Sequence, residues 1–390
     1  MKNMRTRVVL GMLATLLVVP FMAQSALALE AKLSGQVDQM VMWADDGKQS
    51  NAFVTDNDAS STRFRFTGEE ALGAVKAGFQ IEIEAQRNPS NRLAINTNND
   101  NSYTSTDNNG FEFQDRWLNA YFTTKFGTVE IGKGDSAANN TAEVDLSGTS
   151  VVTYSDILTS AGGFTYALSN GNYTNLTIAQ TRSNFDGPLS RSDRLRYNTP
   201  NFAGFTGSVA AENGGAYDAG VFYAADIYGK LAGAIGYTNP MRQVNGTTNN
   251  PDWTQWAASV SWLAPFGLNL TGSYGMRDVQ ANNNASSYYI KAGYLTGIHA
   301  FSIEYSATMD YISSSSTGSI SGTIYNYAKG TTGSTWGATY VIKPWAPVEL
   351  YAAYRIYSLS LSSSAKTALG IGNQDVKDIN EAMVGTRIKF

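Results

Sequence analysis

The stretch from Arg116 to Gly148 reads RWLNAYFTTKFGTVEIGKGDSAANNTAEVDLSG. It holds an alternating apolar and polar run, a tight turn at Lys125 to Gly127, a second alternating run from Thr128, and a loop of small residues carrying Asp135, Glu143 and Asp145. Alternation with a period of two belongs to strands whose two faces meet different surroundings. A hairpin that feeds a flexible acidic loop makes sense if the strands form a wall and the loop folds into the space enclosed. The expected wall is a transmembrane antiparallel β-barrel. The expected constriction is the inward loop from Gly134 to Gly162, with an extension to Ser190 as the longer alternative.

The same period recurs on both sides of this stretch. Leu33, Gly35, Val37, Val41 and Trp43 share one face, and Lys32, Ser34, Gln36 and Asp38 the other. Phe64 and Phe66 alternate with Arg63 and Arg65, and Val75, Ala77, Phe79, Ile81 and Ile83 alternate with Lys76, Gln80, Glu82 and Glu84. Further on, Val348, Leu350, Ala352, Tyr354 and Ile356 face away from Glu349 and Arg355. Short connections such as Glu70 to Gly73, Ala264 to Gly267 and Lys343 to Pro347 alternate with long polar ones such as Ala44 to Ser61, Arg87 to Gly110, Asn239 to Asp252, Tyr311 to Gly333 and Leu361 to Asp375. Short turns at one end and long loops at the other are characteristic of outer-membrane barrels. The runs predict an all-β barrel of 16 strands. Gly163 to Asn170 and Asn172 to Arg182 would raise the count to 18, but they fall short of the ~9–11 residues of a tilted spanning strand and could instead lengthen the inward loop. Trp43, Trp253, Trp256, Trp262, Trp336 and Trp345 lie near strand ends, as aromatic girdles at the two interfaces would.

Composition agrees with a barrel. The 390 residues include 37 glycines, 22 tyrosines, no cysteine and only 15% charged residues, with a mean hydropathy of −0.23. Lipid-facing and lumen-facing residues average to such middle values. Lys2, Arg5 and Arg7, the apolar run Val8 to Met22 and the small-residue motif Ala26-Leu27-Ala28 predict a signal peptide over residues 1–28, cleaved near Ala28, ahead of a barrel domain over 29–390. Its removal leaves 25 basic against 32 acidic residues, a net charge of −7 that gives no reason to expect nucleic acid as a partner. No other apolar run is long enough for a spanning helix, so strands must cross any membrane.

Several segments carry a family resemblance. TRFRFTGEEALGAVKAGFQIEIE (Thr62 to Glu84), FTTKFGTVEIGKGD (Phe122 to Asp135), DRLRYNTPNFAGFTGSV (Asp193 to Val209) and the C-terminal strand Gly385 to Phe390, ending in phenylalanine, together resemble the Gram-negative general porins along nearly the whole mature length. The resemblance implies a homotrimeric, water-filled channel in the outer membrane of a Gram-negative bacterium, with its third long loop folded inward toward basic side chains on the wall. By position it places Arg63 and Arg116 among those basic residues, and Arg65 joins them by parity. The 56 residues from Asp135 to Ser190 are longer than that connection usually is in the family, which leaves strand count and pore diameter open.

The arginines stand out without any family. Arg63 and Arg65 alternate with phenylalanines and cannot face lipid, where each would cost about 2–4 kcal/mol near the midplane. The expected pore constriction is a field between Arg63, Arg65 and Arg116 and the loop carboxylates Glu143 and Asp145, with pairing to Glu82 or Glu84 across the wall as the purely structural alternative. Asp135, Arg194, Arg196 and Arg355 add lumenal charge. No catalytic residue, metal site or cofactor is expected: His299 shares the parity of Phe301, Ile303 and Tyr305, and GTVEIGKG lacks the final Ser or Thr of a phosphate-binding loop. Asp45, Asp46, Asp56 and Asp58 lack calcium-loop spacing. The chain is therefore read as a passive diffusion channel for small hydrophilic solutes and ions, lodged in outer-membrane lipid and weakly cation-selective because its net charge is negative. The alternatives are a channel specific for sugars or acidic compounds and a plugged structural or adhesin barrel.

Overall fold

In the computed structural model the described residues are 30–95, 112–240, 253–279, 284–315 and 323–390. The predicted signal segment and cleavage site lie outside them, as do parts of the loops Arg87 to Gly110, Asn239 to Asp252 and Tyr311 to Gly333. The alternation read from the sequence is realised strand by strand. In β3 (Arg63–Leu72), Phe64 and Phe66 are exposed while Arg63 and Arg65 are half-buried on the opposite face. The same outward row of apolar side chains runs on through Leu118, Ile131, Val209, Ile235, Val260, Ile303 and Val384.

The wall begins with β1 (Glu30–Asp45), β2 (Ser50–Asp56), β3, β4 (Val75–Gln86), β5 (Glu112–Thr124) and β6 (Gly127–Asp135). It continues with β9 (Arg191–Asn198), β10 (Phe205–Glu212), β11 (Tyr217–Asp226), β12 (Lys230–Asn239), β13 (Trp253–Leu263) and β14 (Leu268–Val279). It ends with β15 (Ala285–Thr296), β16 (His299–Met309), β17 (Thr332–Trp345), β18 (Val348–Ser360) and β19 (Ile379–Lys389). From β3 onward each wall strand pairs antiparallel with the next, and Gln36 to Asp45 of β1 pair with Lys389 to Asn380 of β19, which closes the sheet. Closure leaves no edge, and inside a bilayer each unpaired backbone group would cost several kcal/mol. The turn Asp58–Ser60 splits one wall position into β2 and β3, both of which pair with β1, so among the described residues the 17 sheet strands make a 16-strand barrel.

The count of 18 is not realised. β7 (Thr165–Ala167) and β8 (Tyr173–Thr177) form a separate two-stranded sheet within the segment joining β6 to β9. That segment rests on the wall face opposite the lipid-facing row. Val144 N donates to Ser259 Oγ (3.0 Å), Leu146 N donates to Ser261 Oγ (2.9 Å), and Thr149 and Thr153 share hydrogen bonds with Ser302 (2.9 Å) and Thr339 (2.7 Å). A Cβ on Gly220 would lie 2.2 Å from the Ala137 carbonyl, so the wall needs glycine there for the segment to approach.

Beside β1, β2, β18 and β19 the contact becomes a dry core. Phe164, Tyr166, Leu176 and Ile178 pack with Met40, Met42, Phe53, Tyr351, Tyr357, Ile379 and Met383. Wall positions that face the interior carry methionine and tyrosine here, and the hairpin supplies complementary apolar side chains, each contributing about 1.5–3 kcal/mol relative to exposure. Trp253 departs from the girdle expectation: it is buried, with the Arg277 guanidinium 4.0 Å from its ring centroid.

Candidate constriction site

Register brings the charged side chains of β3, β4 and β5 together. Arg63 lies opposite Glu84 and Arg65 opposite Glu82. Between β4 and β5 the register shifts, so that Glu82 faces Trp117 while Ile83 faces Asp115 and Arg116 becomes the extra residue of a bulge. A bulge re-aims a side chain, and Arg116 turns onto both glutamates. Its Nε lies 2.8 Å from Glu82 Oε1, and its Nη1 pairs with Glu84. Arg65 Nε donates to Glu82 Oε2 at 2.6 Å, and Arg63 Nη1 sits 3.6 Å from Glu82 Oε1. Three guanidinium groups thus share two carboxylates and retain a net positive charge.

Arg63, Arg116 and Glu84 of this cluster border a polar cavity of about 370 Å³. Arg63, Arg116 and Arg191 lie on its wall side, and Tyr154, Asp156 and Thr159 of the β6–β9 segment on the other, with Asp58 and Arg92 also lining it. Glu143 accepts a hydrogen bond from Asn184 Nδ2 (3.0 Å), and burial together with the nearby Asp186 charge pushes its carboxyl well above the usual range. Burial likewise raises Asp156, which caps the Leu158 N–H at 3.1 Å. Asp186 is pushed up to about 6 by burial, against hydrogen bonds from the main-chain N–H groups of Ala142 and Asn140, both at 2.7 Å. The acidic group of this segment is therefore Glu143, Asp156 and Asp186.

Asp145 lies elsewhere. Its Oδ2 is 2.8 Å from Lys291 Nζ of β15, and Lys291 also donates to Thr149 Oγ1 (3.1 Å) and the Thr153 carbonyl (2.6 Å). Asp135 Oδ1 is 3.2 Å from Arg191 Nε, while the Asp135 carbonyl accepts from Arg194 Nε (2.8 Å) and Arg196 Nη1 (3.0 Å). Arg194 further pairs with Glu130, and Arg196 donates to Asn198 Oδ1 at 2.8 Å. Arg355 is fully buried, with Nε 2.7 Å from Glu304 Oε1 and Nη1 3.2 Å from Ser160 Oγ. Arg196, which also donates to the Ser136 carbonyl (3.1 Å), and Arg355 thus hold the segment to the wall, while Arg194 bonds to β6 itself. Sequence reading did not single out Lys291, Asp156, Asp186 or Arg191. Lys291 had a usable signal, since it alternates with the outward-facing Ile290.

A closed antiparallel barrel with an apolar outer belt and a charged interior defines a channel protein of a membrane crossed by strands. The model of the Gram-negative porins matches residues 14–358, and the chain belongs to that family. Family and fold make it a diffusion channel of the outer membrane. The fold is shared with an anion-selective porin from Comamonas acidovorans at a TM-score of 0.60 and 17% identity, over 93% of this chain and 100% of that one. It is also shared with OmpF of Salmonella typhi in complex with daunomycin (TM-score 0.57, 14% identity, 95% and 100% covered) and with the trimer form of OmpT of Vibrio cholerae (0.56, 13%, 93% and 100%). No curated protein sequence matches significantly.

Proposed function

We propose that the protein is a homotrimeric, passive diffusion channel for small hydrophilic solutes and ions, without covalent chemistry, exported with residues 1–28 removed. The observation that carries this is the polar cavity between Arg63, Arg116 and Arg191 on the wall and Tyr154 and Asp156 on the β6–β9 segment. In a narrow passage the charges at the walls act over a Debye length of about 8 Å, so the local balance outweighs the charge of the whole chain.

That balance is basic. Among the described residues lining the cavity, Arg63, Arg92, Arg116, Lys133 and Arg191 stand against Asp58, Glu84, Asp115 and Asp156. The weak cation preference expected from the net charge of −7 finds no support in it. The preference proposed here is a modest one for anions, and the similarity in fold to a porin described as anion-selective accords with it. The trimer form of the Vibrio cholerae relative supports the assembly state.

Flux of a small organic anion into liposomes holding the purified protein tests the reading. Passive diffusion requires a rate linear in solute concentration, and saturation at low concentration would favour a substrate-specific channel. The dry core beside β1 and β19 would favour a plugged barrel, which would give no flux above that of protein-free liposomes. An N-terminus at Leu29 in the purified protein tests the cleavage site.

A further inference from the structure

Arg182 follows the helical turn Ile178–Thr181 and is fully buried between the β7–β8 hairpin region and the wall. Its Nη1 donates to the carbonyl and hydroxyl of Thr181 (3.2 and 3.3 Å), and its Nη2 donates to the carbonyls of Ser334 (2.9 Å) and Ser358 (2.5 Å). Its Nε has no acceptor. The seat is shaped for this side chain: a Cβ on Gly333 would fall 1.3 Å from Nη1.

The guanidinium charge is uncompensated among the described residues. Arg194 and Arg355, similarly buried, each pair with a glutamate, and Arg277 lies over the Trp253 ring. Arg182 has neither kind of partner among its described contacts. A guanidinium does not shed its proton in proteins, so burial without a counter-charge is costly. The hydroxyls of Ser306 and Thr335 are also buried without hydrogen-bond partners. Thr335 follows Gly333 by two residues on the same face of β17, and Ser306 stands opposite Thr335 in register. An unpartnered N–H on a fixed positive charge thus meets a stretch of wall that carries two unpartnered hydroxyls. Water could accept from some of them but would leave the charge; an anion accepts from donors and cancels it.

We infer that Arg182, with the hydroxyls of Ser306 and Thr335, binds a small inorganic anion of the halide class as a structural counter-ion fastening the β6–β9 segment to the wall. The site is separate from the constriction and does not depend on what the channel passes.

Crystals of the full barrel soaked in bromide should give an anomalous peak within hydrogen-bonding distance of Arg182 Nε. The unfolding midpoint of the detergent-solubilised barrel should be higher in chloride or bromide than in gluconate at equal ionic strength, by several degrees. Arg182→Met should abolish that difference. Thr335→Val, which keeps the side chain's shape, should reduce it and keeps the test open should the arginine variant fail to fold. No bromide at Arg182, or bromide there with midpoints equal in all anions, an adventitious ion only, would overturn the inference.

Discussion

Lys291 Nζ lies 2.8 Å from Asp145 Oδ2, both side chains are buried, and this contact joins the β6–β9 segment to β15. The lysine leaves few of its donors idle, since Thr149 Oγ1 and the Thr153 carbonyl accept the others. Removing one partner of a buried pair strands the other charge, which typically costs about 3–5 kcal/mol. Lys291→Met should lower the unfolding midpoint of the barrel and make its current noisy, and adding Asp145→Asn should restore much of the loss. The heat-dependent mobility shift on gels measures the midpoint, and equal values for Lys291→Met and the parent would show that the pair does not hold the segment.

Arg116 serves Glu82 and Glu84 at once. Arg116→Ser removes one of three cations from that cluster and leaves two carboxylates against two arginines. The anion-to-cation permeability ratio should fall several-fold, read from the reversal potential in a potassium chloride gradient. An unchanged ratio would place the cluster off the permeation path.

The acidic group of the segment sets the response to pH. Burial pushes the Asp186 carboxyl up to about 6 and raises Glu143 and Asp156 in the same direction. Protonation removes negative charge while the arginines keep theirs, so anion preference should rise as pH falls from 7.5 to 5 and be lost again on return. The triple variant Glu143→Gln, Asp156→Asn, Asp186→Asn should show the acid-side preference across that range; a parent whose selectivity is flat between pH 7.5 and 5 would contradict the assignment.

Phe164 is fully buried in the dry core and stacks with Phe53 at a centroid distance of 6.2 Å. Phe164→Ala should cost about 3–5 kcal/mol through lost burial and the cavity left behind. The loosened hairpin should also give larger and more variable conductance steps. Full stability in the variant would mean that the hairpin contributes nothing to the barrel.

Most of the wall was legible because its period is two and its faces meet opposite media, as Phe64 against Arg63 shows. The barrel's closure and the exclusion of β7 and β8 from it also agree with strand length. What sequence could not supply is the three-dimensional course of a 56-residue connection. Glu143 and Asp145 are two residues apart, yet one approaches Asp186 and the other Lys291. The bulge at Arg116 breaks the strict alternation on which parity reading depends. Arg196 and Arg355 have the parity of lumenal charge, but parity does not tell a side chain in water from one holding a loop.

The measurement that bears most directly on the account is the single-channel reversal potential of the detergent-purified protein in a planar bilayer at pH 7 under a salt gradient. The account predicts opening in three equal steps and a modest anion-directed potential that grows at lower pH. Current silence from correctly folded protein, or a cation-directed potential, would contradict it.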